Sequence, residues 1–208
     1  MNTLITIGRE FGSGGKEIGE KLAQYYNITC YDKELLSVAA KESGLCQEIF
    51  HTHDEKPTNS FLYSLVMDTY ALGYTTNPYM DMPLDQKIFL AQFDAIKKIA
   101  KEGPCVIVGR CADYALDDYA NCLSIFIHAP LEKRVERICS KQDISPQAAR
   151  DFIQKSDKKR ASYYNFYSNK KWGVASSYHL SIDSSVLGID KTVELIKSHI
   201  ALKEQDIS

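Results

Sequence analysis

Hydrophobic positions along the chain follow two patterns: short continuous apolar runs, and longer stretches in which apolar residues recur every three or four positions. Short runs are typical of strands buried in a parallel sheet, and the wider spacing is typical of amphipathic helices. The predicted strands are residues 3–7, 27–31, 105–108, 122–127 and 178–182. The predicted helices are one that carries Ile18 and Leu22, then 33–43, 84–101 and 131–138, a long one from 145 toward 167, and a last one that carries Ile189 to Ile200.

This alternation predicts an α/β fold, with a five-stranded parallel sheet and helices on both of its faces in three layers. A chain of 208 residues is expected to form a single domain over 1–208, with room for an insertion. Residues from about 46 to 83 interrupt the pattern with prolines, histidines and aromatic residues, which predicts an inserted flap with short helices. The aromatic rings of the flap either stack on a base or pack against their neighbours.

Composition excludes several classes of protein. Hydrophobic residues make up 44% of the chain and charged residues 25%, so the chain can bury an ordinary core. The formal net charge of −2 argues against a nucleic-acid or anionic-membrane partner. No apolar run approaches the roughly 20 residues that span a bilayer, and the first strand follows no basic and apolar leader. We therefore expect a cytoplasmic protein that binds neither nucleic acid nor membranes.

The stretch from Gly8 to Gly19, GREFGSGGKEIG, lies between the first predicted strand and the first predicted helix. Glycines let backbone N–H groups converge, and the start of a helix adds unpaired N–H groups and the positive end of its dipole. Lys16, at the end of the turn, can reach the outer phosphates of a nucleotide. The stretch predicts a phosphate-binding loop, and a simple glycine-rich turn is the alternative.

The match to the P-loop pattern G-x-x-x-x-G-K is incomplete. The first glycine of the pattern would fall at Glu10. The hydroxyl residue that follows the lysine and holds Mg²⁺ is replaced by Glu17. A carboxylate at this position either contacts Mg²⁺, directly or through water, or repels the phosphates and weakens nucleotide binding.

Polar side chains follow the first three predicted strands: Lys16 after the first, Asp32 after the second, and Arg110 and Asp113 after the third. Ligands bind at the carboxyl ends of the strands in such sheets, so these residues are candidates for the site. Arg110 either forms a bidentate contact with a phosphate or a salt bridge to Asp113 or another carboxylate. Asp32 and Asp113 either contact a substrate hydroxyl or amine, or cap the helices that follow them.

Two further groups of charged residues lie on predicted helices. Arg134 and Arg137 are three positions apart and are predicted to point away from the apolar face of their helix. Arg150, Asp157 and Arg160 share one face of the long helix that Ser145 and Pro146 begin. Arg160 is a candidate clamp for a transition state, and Asp157 either orients it or is an ordinary helical partner. Solvated surface side chains would show the same pattern.

Together these motifs resemble the cytidylate kinase-like proteins, which are relatives of bacterial cytidylate kinase among the P-loop nucleoside monophosphate kinases. The resemblance covers nearly the whole chain. The segments that carry it are 7–19, then YDKEL at 31–35, VIVGRCAD at 106–113, IFIHA at 125–129 with Arg134, D-x-x-R at 157–160 and LSIDSS at 180–185.

The resemblance implies ATP- and Mg²⁺-dependent phosphoryl transfer to a small nucleotide substrate, with CMP or dCMP as the leading acceptor. With the residue patterns above, it assigns catalytic roles to Lys16, Arg110 and Arg160. The predicted ATP phosphate-binding residues are Gly12, Ser13, Gly14, Gly15, Lys16, Glu17, Arg134 and Arg137. The predicted acceptor-binding residues are Asp32, Arg110, Asp113 and Asp157. The sequence identifies no metal ligand.

The resemblance also implies that the flap at about 46–83 corresponds to the acceptor-binding domain of the family. Residues from about 141 to 170 correspond to its lid. Glu17, and the lysines at 155, 158 and 159 of the lid, depart from the pattern of true cytidylate kinases. A lysine cannot form the bidentate contact of an arginine. Two other hypotheses therefore stay open: a nucleotide-binding regulator without turnover, and a kinase for a small molecule that is not a nucleotide.

Overall fold

The structure, a computed structural model, describes residues 2–32 and 83–205, and between them positions 35, 37, 39 and 41. Its five strands form one sheet in which every pairing is parallel, in the order β2-β3-β1-β4-β5. The strands are β1 Leu4–Arg9, β2 Thr29–Tyr31, β3 Cys105–Val108, β4 Cys122–His128 and β5 Leu180–Asp183. The predicted five-stranded parallel sheet is thus confirmed.

The helices that the structure describes agree with the predicted ones except for two short elements. They are α1 Gly15–Tyr26, α2 Leu84–Glu102, α3 Ala112–Ala115, α4 Leu131–Gln142, α5 Pro146–Tyr167 and α6 Ser184–Gln205, with a 3₁₀ helix at Ala175–Ser177. The sequence patterns missed α3 and the 3₁₀ helix, which are too short to show a period. Positions 35, 37, 39 and 41 are helical, but most of the predicted 33–43 helix and the flap lie outside the described residues.

The structure corrects the start of the second strand, which was predicted at residue 27. Asn27 instead ends α1 in a left-handed conformation with a φ of 52°. The backbone N–H groups of Asn27 and Ile28 donate to carbonyl oxygens of the last turn of α1. A residue whose N–H caps a helix is not in the extended conformation of a strand, so β2 begins only at Thr29.

Helices cover both faces of the sheet, as predicted, and side chains of successive strand residues enter opposite layers. On one face α1 and α6 pack against the sheet through a core of Ile5, Ile7, Ile18, Leu22, Val106, Val108, Leu123, Ile125, Ile127, Val193, Ile196 and Ile200. On the other face α2 and α3 pack against it through Leu4, Ile88, Ala91, Ala95, Ile96, Ile99, Cys105, Ile107, Ala112, Ala115 and Cys122.

An aromatic cluster fixes the C-terminal half of α5 on the second face. Phe89 of α2 stacks on Tyr167 of α5 with ring centroids 4.0 Å apart. Tyr163 and Tyr164 belong to the same buried cluster, together with Phe126 of β4. Because these rings anchor α5 to the sheet, Arg160, one turn before them, is held at the carboxyl ends of the strands.

Candidate functional site

The glycine-rich segment forms a tight loop between β1 and α1. Gly12 and Gly14 adopt φ angles of 82° and 85°, and α1 begins at Gly15. The hydroxyl of Ser13 donates to the carbonyl oxygen of Glu10 at 2.9 Å, and the hydroxyl of Ser184 donates to the carbonyl oxygen of Ser13 at 2.6 Å. The loop is therefore held from within and by the start of α6, with the N-terminus of α1 at its end.

Glu10 occupies the position where the P-loop pattern has its first glycine, and its side chain fastens the loop to β4 and α4. One carboxylate oxygen accepts the backbone N–H of Ala129 at 3.0 Å. The same oxygen lies 3.3 Å from Nε of Arg134. The departure at this position thus replaces a conformationally free residue with a side-chain anchor.

Arg134 and Asp157 complete this anchor. The guanidinium of Arg134 donates to the carbonyl oxygens of Phe11 and Ala129 and to the carboxylate of Asp157. The other carboxylate oxygen of Asp157 accepts the backbone N–H of Phe11 at 2.7 Å. The prediction that Arg134 points away from the core is wrong, because its side chain is buried among these acceptors. In the structure neither residue lines the cleft described next, so their predicted contacts with substrate stay predictions.

A cleft of about 630 Å³ opens over the loop, between α1, α4 and α5. Its basic side chains come from four elements, and they are Arg9, Lys16, Arg137, Lys141 and Arg160. The guanidinium of Arg160 donates to the carbonyl oxygen of Arg9 at 3.3 Å and lies 5.4 Å from the ring centroid of Phe11. Loop N–H groups, a helix N-terminus and several cations meet here, which is an arrangement suited to polyphosphate.

Glu17 lies on the rim of the cleft and bridges two of its cations. Its Oε2 accepts from the guanidinium of Arg137 at 2.5 Å and from the ammonium of Lys141 at 2.9 Å. The hydrogen bond from Lys141 and the charge of Arg137 lower the pKa of Glu17, against an opposing effect of burial. Glu17 therefore stays ionised at neutral pH and occupies two cations that would otherwise face an anionic ligand.

Asp32 stands at the centre of a second group of charges, where the carboxyl ends of β1, β2 and β3 meet. Its carboxylate lies 2.6 Å from Arg110, 3.1 Å from Lys16 and 3.7 Å from Arg9. Burial opposes its ionisation, but the charges of Arg110 and Arg9 and the hydrogen bonds outweigh burial and lower the pKa of Asp32. The structure thus brings together three residues that the sequence placed at this edge of the sheet: Lys16, Asp32 and Arg110.

Arg9 belongs to this group but was not predicted. The sequence did contain a signal for Arg9, because this arginine ends a buried apolar strand and lies inside the glycine-rich motif. Asp113 was predicted to bind the acceptor, and in the structure its carboxylate accepts the hydroxyl of Tyr164 at 2.6 Å, so its contact with an acceptor stays a prediction. Burial raises the pKa of Asp113, and that hydrogen bond only partly offsets it. Arg150, on the same helix as Arg160, pairs with Glu132 on the surface.

Comparison with known families shows to which protein family the chain belongs. Residues 4–186 match the cytidylate kinase-like family. The chain belongs to this family. Cytidylate kinase from Methanopyrus kandleri is 25% identical over 96% of this chain and 94% of its own length. Cytidylate kinase from Pyrococcus horikoshii is 26% identical over 95% of this chain and 88% of its own.

Solved structures share the fold of this chain. An uncharacterised protein from Eubacterium ventriosum is 31% identical with a TM-score of 0.72, over 96% of this chain and 99% of that one. Shikimate kinase from Bacteroides thetaiotaomicron has a TM-score of 0.56 over 97% of this chain and 99% of its own, and at 13% identity it shows the fold alone. The fold is therefore that of a kinase such as shikimate kinase. The family match makes the chain a nucleoside monophosphate kinase-like phosphotransferase.

Proposed function

We propose that this chain transfers the terminal phosphoryl group of ATP to a nucleoside monophosphate, with CMP or dCMP as the leading acceptor. One observation carries the proposal: the loop and the N-terminus of α1 form a cleft with Lys16, Arg137 and Arg160. Phosphoryl transfer needs positioning and compensation of negative charge more than it needs a reactive side chain. The names of the relatives support CMP as the acceptor, since both are cytidylate kinases.

On the donor side, the backbone N–H groups of Gly12 to Lys16 would bind the phosphates, and the ammonium of Lys16 would reach the outermost one. Arg160 reaches the same cleft from α5, so it can neutralise charge on the far side of the transferred group. Arg137 adds a planar fork that suits two phosphate oxygens. The roles of these residues toward ATP belong to the proposal.

On the acceptor side, Arg110 and Asp32 form an ordered pair. One guanidinium nitrogen of Arg110 donates both to Asp32 at 2.6 Å and to the carbonyl oxygen of Val108 at 3.0 Å. Such a pair holds the guanidinium in one place at the carboxyl edge of the sheet, where the acceptor phosphate would lie. The carboxylate of Asp32 can accept from a hydroxyl or amine of the acceptor.

A magnesium ion would be held mainly by the phosphates. Among the described residues, no three histidine, cysteine or acidic side chains cluster as metal ligands. Mg²⁺ typically uses one or two carboxylates, with water and substrate phosphates as its other ligands. Glu17 stands where the usual hydroxyl ligand would be, but its carboxylate pairs with Arg137 and Lys141, so phosphates and water would supply most of the ligands. When bound, the ion supplies charge compensation for the transferred group.

The proposal is tested by measuring ATP consumption with Mg²⁺ across CMP, dCMP, UMP, AMP, GMP and no acceptor. We expect the highest turnover with CMP or dCMP. A thermal shift with ATP alone is measured in parallel, because a ligand that binds the folded state raises the melting temperature. Stabilisation by ATP without phosphorylation of any acceptor would contradict the proposal.

A second candidate function, a nucleotide-binding regulator with little turnover, is favoured by the ion pairs of Glu17. Its carboxylate occupies Arg137 and Lys141 on the rim of the cleft. Phosphates must compete for these cations, which weakens ATP binding. The two candidates separate on a product assay, since the regulator binds ATP and forms no product.

Glu17→Gln is expected to lower the KM for ATP by up to about 5-fold, because a partly exposed ion pair contributes about 0.2–1 kcal/mol and the two pairs share one carboxylate oxygen. The glutamine keeps the size of the side chain but leaves the charges of Arg137 and Lys141 for the phosphates. Glu136→Gln on α4 is the matched control, because Glu136 pairs with Lys133 on the surface. A higher KM in Glu17→Gln would show instead that the carboxylate assists ATP binding.

A cytoplasmic location, which the sequence analysis predicts, is part of the proposed function. In the part of the chain that the structure describes, no helix is both long and apolar enough to cross a bilayer.

A further inference from the structure

The side chain of Arg9 lies across the carboxyl edge of the sheet, from the loop to the turn after β3. A Cβ built on Gly15 would come 2.6 Å from Cβ of Arg9, and a Cβ built on Gly109 would come 2.0 Å from its Nη1. Both distances are far below contact distance, so any other residue at these two positions would displace Arg9. Glycine at 15 and at 109 therefore keeps a path open for this one side chain.

Arg9 also forms part of the wall between two cavities. It lines the cleft over the loop, and it lines a smaller cavity of about 20 Å³ beside Gly109, Arg110 and Asp113. Arg160 lines both cavities as well, and it donates to the carbonyl oxygen of Arg9. Two guanidinium groups thus stand where the predicted donor side meets the predicted acceptor side.

Arg9 is the most distant of the three cations described around Asp32. Arg110 and Lys16 lie 2.6 Å and 3.1 Å from the carboxylate, within hydrogen-bonding distance. Arg9 lies at 3.7 Å, beyond that distance. Arg9 therefore contributes a longer-range charge to Asp32, and its side chain at the same time borders both cavities.

We infer that Arg9, together with Arg160, contacts the phosphoryl group while it passes from donor to acceptor. The inference rests on the proposed function and adds a residue to it. Negative charge on the oxygens of the transferred group is spread around its equator, and two guanidinium groups can each bind a different pair of oxygens. Arg9 is thereby a catalytic residue for the transfer step, and it contributes little to ground-state binding of the nucleotide.

The test uses the full chain with ADP, Mg²⁺ and aluminium fluoride, a mimic of the transferred phosphoryl group that needs no particular acceptor. In the unchanged chain, aluminium fluoride is expected to raise the melting temperature above its value with ADP and Mg²⁺ alone. Arg9→Met is expected to keep the shift caused by ADP and to lose the additional shift. With the best acceptor, kcat is expected to fall about 100- to 1000-fold while the KM for ATP stays within about 3-fold.

Three variants guard against a trivial loss of folding. Arg9→Lys keeps the charge but not the planar fork, and it is expected to recover only part of kcat. Gly109→Ala does not change the arginine itself, but the new Cβ displaces the guanidinium of Arg9. This variant is therefore expected to reproduce the kinetic defect of Arg9→Met. Arg150→Met removes an arginine that pairs with Glu132 on the surface, and it is expected to leave both readouts unchanged.

The outcomes separate this inference from the proposed function. Equal additional shifts and equal kcat in the unchanged chain and in Arg9→Met would overturn the role of Arg9 and leave phosphoryl transfer standing. Loss of the ADP shift in Arg9→Met as well would overturn it too, since Arg9 would then support nucleotide binding in general. If the unchanged chain shows neither the additional shift with aluminium fluoride nor turnover with any acceptor, the proposed function is overturned, and the inference with it.

Discussion

Lys16→Ala is expected to lower turnover by at least about 100-fold while the protein stays folded. The ammonium of Lys16 lies on the cleft over the loop and 3.1 Å from Asp32, so it can compensate charge on the outer phosphate and on the group being transferred. Its side chain is 51% exposed, and its removal costs the core nothing. Turnover with the best acceptor and the melting temperature are the two measurements.

Lys21→Ala is the matched control for Lys16→Ala. Lys21 lies on the same helix, but it pairs with Asp190 of α6, away from the cleft. We expect ordinary activity from this variant, since exposed ion pairs contribute little to stability. Activity of Lys16→Ala equal to that of the unchanged chain would refute the phosphate-loop interpretation.

Asp157→Ala is expected to destabilise the fold by about 2–4 kcal/mol and to weaken ATP binding at the same time. The substitution removes the acceptor for the backbone N–H of Phe11 and leaves the buried guanidinium of Arg134 without one of its carboxylates. Glu10 still lies 3.3 Å from Arg134, which limits the loss. For a chain of this size the melting temperature should fall by about 5–15 °C.

The change in ATP binding shows whether Asp157 anchors the loop or contacts the substrate. If Asp157 holds the loop, the affinity for ATP falls with stability, and the KM for the acceptor changes no more than the KM for ATP. If Asp157 binds the acceptor instead, stability is retained and only the KM for the acceptor rises. Asp151→Ala is the control on the same helix, because Asp151 is exposed and accepts only from Gln147 among the hydrogen bonds described here.

The meeting of Lys16, Asp32 and Arg110 could be predicted because it follows from topology. Asp32 and Arg110 come just after short apolar runs, and Lys16 ends the loop that follows the first one. Runs that become parallel strands end at one edge of the sheet. Hydrophobic spacing likewise predicted the two helical layers, since the apolar residues of α6 recur at the period of a helix. These features depend on periodicity alone, without knowledge of which side chains touch.

The roles of Arg134 and Asp157 could not be predicted in the same way. Their partners are backbone groups of Phe11, more than 100 positions away in the chain, and no periodicity indicates such a contact. On a helix, a buried arginine that holds a loop has the same spacing as an exposed one. Arg9 was missed for a related reason, because its position depends on the absence of a Cβ at Gly15 and Gly109.

The strand order has a consequence for biosynthesis. β1 lies in the middle of the sheet, yet its partners come far later in the chain: Ile5 pairs with Val106, and Leu4 pairs with Cys122. About 100 residues must therefore leave the ribosome before the first neighbour of β1 can pair with it, and the second neighbour follows later still. Until then an apolar strand exposes both of its edges, which is the situation in which nascent chains aggregate or recruit chaperones. The glycine-rich loop follows β1 directly, but it can take its final shape only after Asp157 of α5 and Ser184 of α6, which hold it, have been synthesised.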